Sequence, residues 1–111
     1  MFSKIVPRRR EEFSVRRSEE DIFHVVFDKE DDRIVQFSVQ YLAFLQDEWH
    51  PVIRFDTAHG HAHLDISHPD DTQETRELHI QNYNEALTWA LEDLREHWQF
   101  YRQRYEQELE Q

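Results

Sequence analysis

The chain has 111 residues, no cysteine and a formal net charge of −11. That length admits one domain with a modest core, and the lack of cysteine excludes disulfides, thiol nucleophiles and cysteine-based zinc sites. Aromatic residues make up 14% of the chain, enough for a small core built on large rings. No apolar run approaches the ~20 residues of a membrane helix, and "MFSKIVPRRR" lacks the apolar segment of a secretory signal. A soluble cytoplasmic protein with no membrane partner is expected.

Charge is unevenly spread. Lys4, Arg8, Arg9, Arg10, Arg16 and Arg17 outnumber Glu11 and Glu12 in the first 17 residues, and the remainder is acidic. This sets residues 1–20 apart as a basic, partly ordered N-terminal arm on a single domain over 21–111. The acidic body disfavours nucleic acid as a partner.

"IFHVVF" at 22–27 is β-branched and aromatic and predicts a strand. "DKEDD" is a polar turn. Over 33–46, Val35, Phe37, Val39, Tyr41, Ala43 and Leu45 alternate with Gln36, Ser38 and Gln40, as in a half-buried antiparallel strand. "HPVIRFDT" at 50–57 is the next strand, with Ile53 and Phe55 on one face and Arg54 and Asp56 on the other. Gly60, the only glycine, predicts a tight turn because it accepts positive φ cheaply. "HAHLDIS" then alternates Ala62, Leu64 and Ile66 against His61, His63 and Asp65. "HPDDTQ" is turn chemistry. "TRELHI" predicts a last strand that sends Leu78 and Ile80 to the core.

The period then changes. Asn82 followed by Glu85 resembles a capping box. Tyr83, Leu87, Ala90, Leu91, Leu94, Trp98, Tyr101 and Tyr105 fall on one stripe of a helix over 83–109. The fold class is therefore α+β, an antiparallel meander of four to five strands packed on one long C-terminal helix. At ~1.5 Å per residue that helix is about 40 Å long, more than a short sheet needs. Its end carries Phe100, Tyr101 and Tyr105, so a homodimer or a protein partner through this helix is expected.

The chemistry concentrates in "HGHAHLDISHPD", residues 59–70. The two-residue period puts Arg54, Asp56, His61, His63, Asp65, Glu77 and His79 on the face away from the helix. Two functional readings follow, beside that of a solvated sheet face. In one, His61, His63 and Asp65 hold a divalent metal and leave a position open for water. In the other, Asp56, His59, His63, Asp65 and His68 carry out acid–base catalysis without a metal, and Arg54 stabilises an anionic transition state. Trp89 and Trp98 read as core or interface, Trp49 as an anchor under a turn, and His24 and His97 as structural. The serines sit in no nucleophile elbow.

"VIRFDTAHGHAHLDISHPD" and "YNEALTWALEDLREHW" resemble a small, largely uncharacterised prokaryotic family. It is marked by an aromatic–Asp–x–Ala–His–Gly turn, a His–x–Asp, a His–Pro and a terminal helix. Phe55, Asp56, Ala58, His59, Gly60, His63, Asp65, His68 and Pro69 carry the match, which covers about residues 33–105. More distantly the chain is similar to the TumE-type proteins of toxin–antitoxin loci. That likeness implies a toxin–antitoxin or defence setting and a nuclease-like hydrolase acting on RNA. The alternative is a non-catalytic acidic interaction protein, antitoxin- or adaptor-like, that docks through its long helix.

Overall fold

The computed structural model describes residues 6–111. Six strands follow one another in chain order: β1 (Arg8–Ser18), β2 (Asp21–Glu30), β3 (Arg33–Leu45), β4 (Glu48–Asp56), β5 (His63–Ser67) and β6 (Gln73–Glu77). Each pairs antiparallel with the next, so the sheet order is the chain order. One helix, α1 (Tyr83–Leu109), closes the chain. The α+β meander is as expected, with six strands instead of four or five.

The additional strand comes from the basic segment. Arg8–Ser18, expected as part of an arm, is β1, paired with β2 from Arg8↔Glu30 to Ser18↔Asp21. Residues 1–5 lie outside the described residues. β1 escapes a hydrophobicity reading because only Phe13 and Val15 are apolar and nearly every residue is exposed. An edge strand needs only the backbone pairing that β2 offers.

β2 to β4 alternate as predicted. Val25, Val39, Tyr41, Ala43, Val52 and Phe55 are fully buried on the face that meets α1. The ladder between β3 and β4 shifts register between Tyr41 and Leu42. At that bulge the neighbours Val52 and Ile53 are both buried, which strict alternation does not allow. From the helix, Ala86, Leu87, Ala90 and Leu94 fill the core. Leu64 and Leu91 pack only at its margin.

Three local expectations are corrected. Gly60 does not make a two-residue hairpin turn; Ala58–Gly60 is a short 3-10 turn in which His59 (φ 69°) and Gly60 (φ 83°) both take left-handed backbone. The strand expected from His61 starts only at His63. The last strand begins earlier and ends at Glu77, because His79 takes φ 58° and breaks the extended run before Ile80.

The helix begins as predicted, with the Asn82 side chain accepting from the Glu85 backbone N–H. It runs along β3. At one end the Asn84 side chain donates to the Asp32 carbonyl (2.9 Å) and accepts from the Ile34 backbone N–H (3.0 Å). At the other end Arg102 donates to the Phe44 carbonyl (3.3 Å). A strand of 13 residues at ~3.3 Å each spans about 43 Å, which matches the helix. Of the distal aromatics, Tyr101 and Tyr105 therefore pack against the chain's own core. Tyr105 is 3% exposed, with its ring 5.4 Å from that of His50, while Phe100 stays 64% exposed. No helix of the described residues is long and apolar enough to cross a membrane.

Candidate functional site on the open sheet face

The helix covers one face of the sheet. The other face is mixed, with Ile22, Val26, Leu42 and Phe44 among polar side chains, and its densest polar group sits on β4 and β5. Register makes the group: Arg54 pairs with Asp65 and Asp56 with His63. On the far side of β5, Asp65 faces Thr75 and His63 faces Glu77. Residues opposite one another in an antiparallel pair share a face.

The side chains interlock. Arg54 Nη2 lies 3.2 Å from Asp65 Oδ2, and Arg54 Nε lies 3.3 Å from Asp56 Oδ2. His63 Nε2 is 3.5 Å from both Asp56 Oδ1 and Asp65 Oδ2. His63 Nδ1 faces the His61 carbonyl at 3.3 Å. Thr75 donates to Asp65 Oδ1 at 2.7 Å. Asp56 is set by its own backbone, since Oδ1 accepts from the Ala58 N–H (2.6 Å) and so closes an Asx turn after the strand. Thr57 ties that turn to β3, its hydroxyl accepting from the Phe37 N–H at 3.0 Å.

His63 and Asp65 are buried although they stand on the open face. Burial alone would raise the Asp65 carboxyl. The hydrogen bonds from Thr75 and Arg54, with the positive charge of His63 and Arg54, outweigh it and hold the carboxyl below its ordinary value.

Of the expected acid–base set, Arg54, Asp56, His63 and Asp65 come together. His59 does not, being exposed in the 3-10 turn. His68 lies at the other end of β5, in a separate group with Glu74 and Glu108. His61 is 3.0 Å from Glu77 and its ring is 5.6 Å from that of His63. The expected metal set of His61, His63 and Asp65 does not form a shared coordination point. His61 Nε2 is turned to Glu77, and His63 Nε2 is turned to the two aspartates. Among the described residues no three histidine, aspartate or glutamate side chains are arranged to hold a metal ion.

Asp56 also lines a cleft of about 280 Å³ on the same face, with Arg10, Asp28, Gln36, Ser38 and Thr57. Asp28 is nearly buried there and accepts from Arg8 (2.9 Å) and Gln36 (2.6 Å). The polar half of the β3 alternation, Gln36 and Ser38, signalled this wall. Arg10 is joined to it only by the β1–β2 pairing, which the composition of residues 8–18 hid, and Asp28 extends β2 into the stretch expected as a turn, where it pairs with Gln36.

His68 bridges the helix end to the last hairpin. Its Nδ1 lies 2.9 Å from Glu108 on α1 and its Nε2 lies 3.2 Å from Glu74 on β6. The Glu108 hydrogen bond and charge raise the imidazole above its ordinary value of 6.5 against partial burial and Arg104, and Glu74 adds to the rise. A raised folded value means that this stabilisation is fully present below the unfolded value and is lost as pH rises through the folded one. His68→Gln is therefore expected to lower the melting temperature at pH 5.5 and to leave it nearly unchanged at pH 8.5. An equal loss at both pH values would show that His68 contributes packing and no charge.

Comparison with family models matches residues 8–111 to a Domain of unknown function (DUF7718). No curated protein and no solved structure matches significantly.

Proposed function

Because the chain belongs to the DUF7718 family, whose description assigns no activity, we propose that Arg54, Asp56, His63 and Asp65 form an acid–base site for metal-independent hydrolysis of a phosphodiester. The observation that carries this reading is the double position of Asp56. It touches His63 and Arg54 behind it and lines the cleft in front. Buried ion clusters are often no more stabilising than apolar side chains of the same size. A strand pair that keeps a histidine and two carboxylates largely buried beside a partly exposed arginine is better accounted for by chemistry than by stability.

The roles follow from the contacts. Thr75 and Arg54 keep Asp65 ionised, and Asp65 orients the His63 ring. His63 Nδ1–H donates to the His61 carbonyl, which leaves Nε2 to exchange a proton with Asp56. Asp56 takes a proton from a water at the cleft as that water attacks phosphorus, and the same proton is returned to the departing alkoxide as its bond to phosphorus breaks. Arg10 on the cleft wall supplies positive charge for an anionic substrate. The likeness to TumE-type proteins supports RNA as that substrate and a toxin–antitoxin or defence setting. His59 and His68 are outside this centre.

Fluorogenic single-stranded RNA and a chromogenic phosphodiester, assayed with a metal chelator present, test the reading. Turnover by the wild-type chain is expected to fall about 100-fold or more in Asp56→Asn and His63→Ala. A wild-type chain without turnover, or a fully active Asp56→Asn variant, sinks it. A second reading, a non-catalytic interaction protein, is supported by Trp89 and Phe100. They are 41% and 64% exposed and lie about three helical turns apart on one side of α1.

A further inference from the structure

β1 is an edge strand of 11 residues, and among the described residues its outer row of backbone N–H and C=O groups has no partner strand. Proteins blunt such edges by keeping them short, by proline, by bulges or by charged side chains. The opposite edge obeys that rule, since β6 has five residues and all are exposed. β1 is long and contains no proline; it carries charges, but its bulge lies only at the Arg16–Ser18 end, and an exposed Phe13 stands at its middle.

The charges along β1 have an internal symmetry. Reading from Arg10 to Ser18, the chain runs basic, acidic, acidic, aromatic, serine, valine, basic, basic, serine. Lay a second copy antiparallel to the first with Ser14 opposite Ser14. Glu12 then faces Arg16, Glu11 faces Arg17, and Phe13 faces Val15, each twice by symmetry. Glu12–Arg16 and Phe13–Val15 join residues of equal parity, so each pair lies on one face of the sheet, whereas Arg17 is the extra residue of a bulge between Arg16 and Ser18 and its face is set by its contact with β2. Glu12 and Arg16 share the open face. Glu11 and Arg17 share the helix face, where Arg17 lies over the Phe23 ring at 5.8 Å. Phe13 already meets Phe27 edge-on at 6.5 Å on that face, so a partner's Val15 would extend an existing apolar strip.

Neighbouring registers lack this match. A shift by two residues one way sets Arg9 and Arg10 against Arg17 and Arg16. The other way leaves both glutamates with no basic residue opposite. The register centred on Arg10 also sets Arg8 and Arg9 against Glu12 and Glu11, but it overlaps only the first five residues of β1 and puts Arg10 against its own copy. Arg16 spends its guanidinium on the Ser18 and Glu19 carbonyls at 3.3 and 3.0 Å, exposed contacts that a carboxylate can replace at little cost.

We propose that β1 is the docking surface for a second copy of this chain, paired antiparallel about a two-fold axis at Ser14, so that the two six-stranded sheets join into one. The two-fold stands perpendicular to the sheet and places both helices on the same side. The interface is isologous, each Glu11–Glu12 pair meeting the partner's Arg16–Arg17 pair. It leaves the Asp56–His63 cluster uncovered and is independent of any catalytic role.

Charge swapping tests the register on the full-length chain. E11R/E12R and R16E/R17E change only exposed side chains of an edge strand, and circular dichroism checks that both variants fold. Wild-type protein at about 100 µM is expected to sediment as a dimer at low salt. Each double variant alone is expected to sediment as a monomer, with self-association weakened about 100-fold or more by like charges set opposite one another. An equimolar mixture of the two is expected to recover the dimer, because every swapped pair is again of opposite sign. The chain has no cysteine, so S14C gives a single thiol at the two-fold. It is expected to form a disulfide-linked dimer under mild oxidation, while T88C on the helix does not. A monomeric wild type, a dimer that survives both charge swaps, failure of the mixture to pair, or equal cross-linking at T88C overturns the proposal.

Discussion

Replacing Phe55 by alanine is expected to cost about 3–5 kcal/mol, the usual range for removing a fully buried aromatic ring. Phe55 has no exposed surface. It pairs across the sheet with Val39 on β3 and Leu64 on β5, and the Trp89 ring packs on it edge-on at 5.9 Å. Strands on both sides hold its backbone in ladders, so the cavity cannot collapse by moving the main chain. For a chain of this size the loss corresponds to a fall in melting temperature on the order of 10–20 °C. Urea denaturation gives the free energy directly, and Phe100→Ala is the matched control. Phe100 is 64% exposed, so its truncation is expected to change stability by less than about 0.5 kcal/mol. If the two variants lose stability equally, Phe55 is not under the helix.

Phe55 is also the residue at which the sequence is most readable. The alternation over 33–46 and 50–57 assigns the core face of β3 and β4 correctly for Phe37, Val39, Tyr41, Ile53 and Phe55. The helix is visible from its stripe and its Asn82 cap. The face of each polar residue follows from the period of two, which groups Arg54, Asp56, His63 and Asp65 by spacing alone. Their mutual contacts depend on register, which the period leaves open. β1 is hidden for a different reason. An edge strand buries almost nothing, so it has no hydrophobic pattern to read, and its arginines suggest an arm. The split of the histidines is hidden as well. His59 and His79 take left-handed backbone, which the residue type alone does not predict, and His68 is claimed by Glu108, 40 residues away.

The least readable feature gives the second large expected effect. Arg102, on the helix face towards β2, ends in a partly buried knot centred on the buried Asp21. Its Nη1 lies 2.6 Å from Asp21 Oδ1, its Nη2 lies 3.0 Å from Glu20 Oε2, and its Nε lies 2.7 Å from Glu106 Oε1. Asp21 is 4% exposed and also accepts from the hydroxyls of Tyr41 and Ser18. Burial, with the Asp21 carboxylate beside it, pushes the Tyr41 hydroxyl up, so that group stays a donor at every pH of interest. The knot joins the helix to the β2 and β3 strands more than 50 residues away. Arg102→Met keeps most of the stem but removes the charge and every donor, leaving Asp21 buried with no cation. Breaking a buried pair from one side in this way costs about 3–5 kcal/mol. The penalty belongs to the stranded carboxylate, so neutralising it should return part of the loss. In a double-mutant cycle, Asp21→Asn added to Arg102→Met is expected to cost less than the sum of the single changes by about 1–3 kcal/mol. Additive losses in urea denaturation would show that Arg102 acts through its stem alone, and that the contact with Asp21 contributes nothing to holding α1 on the sheet.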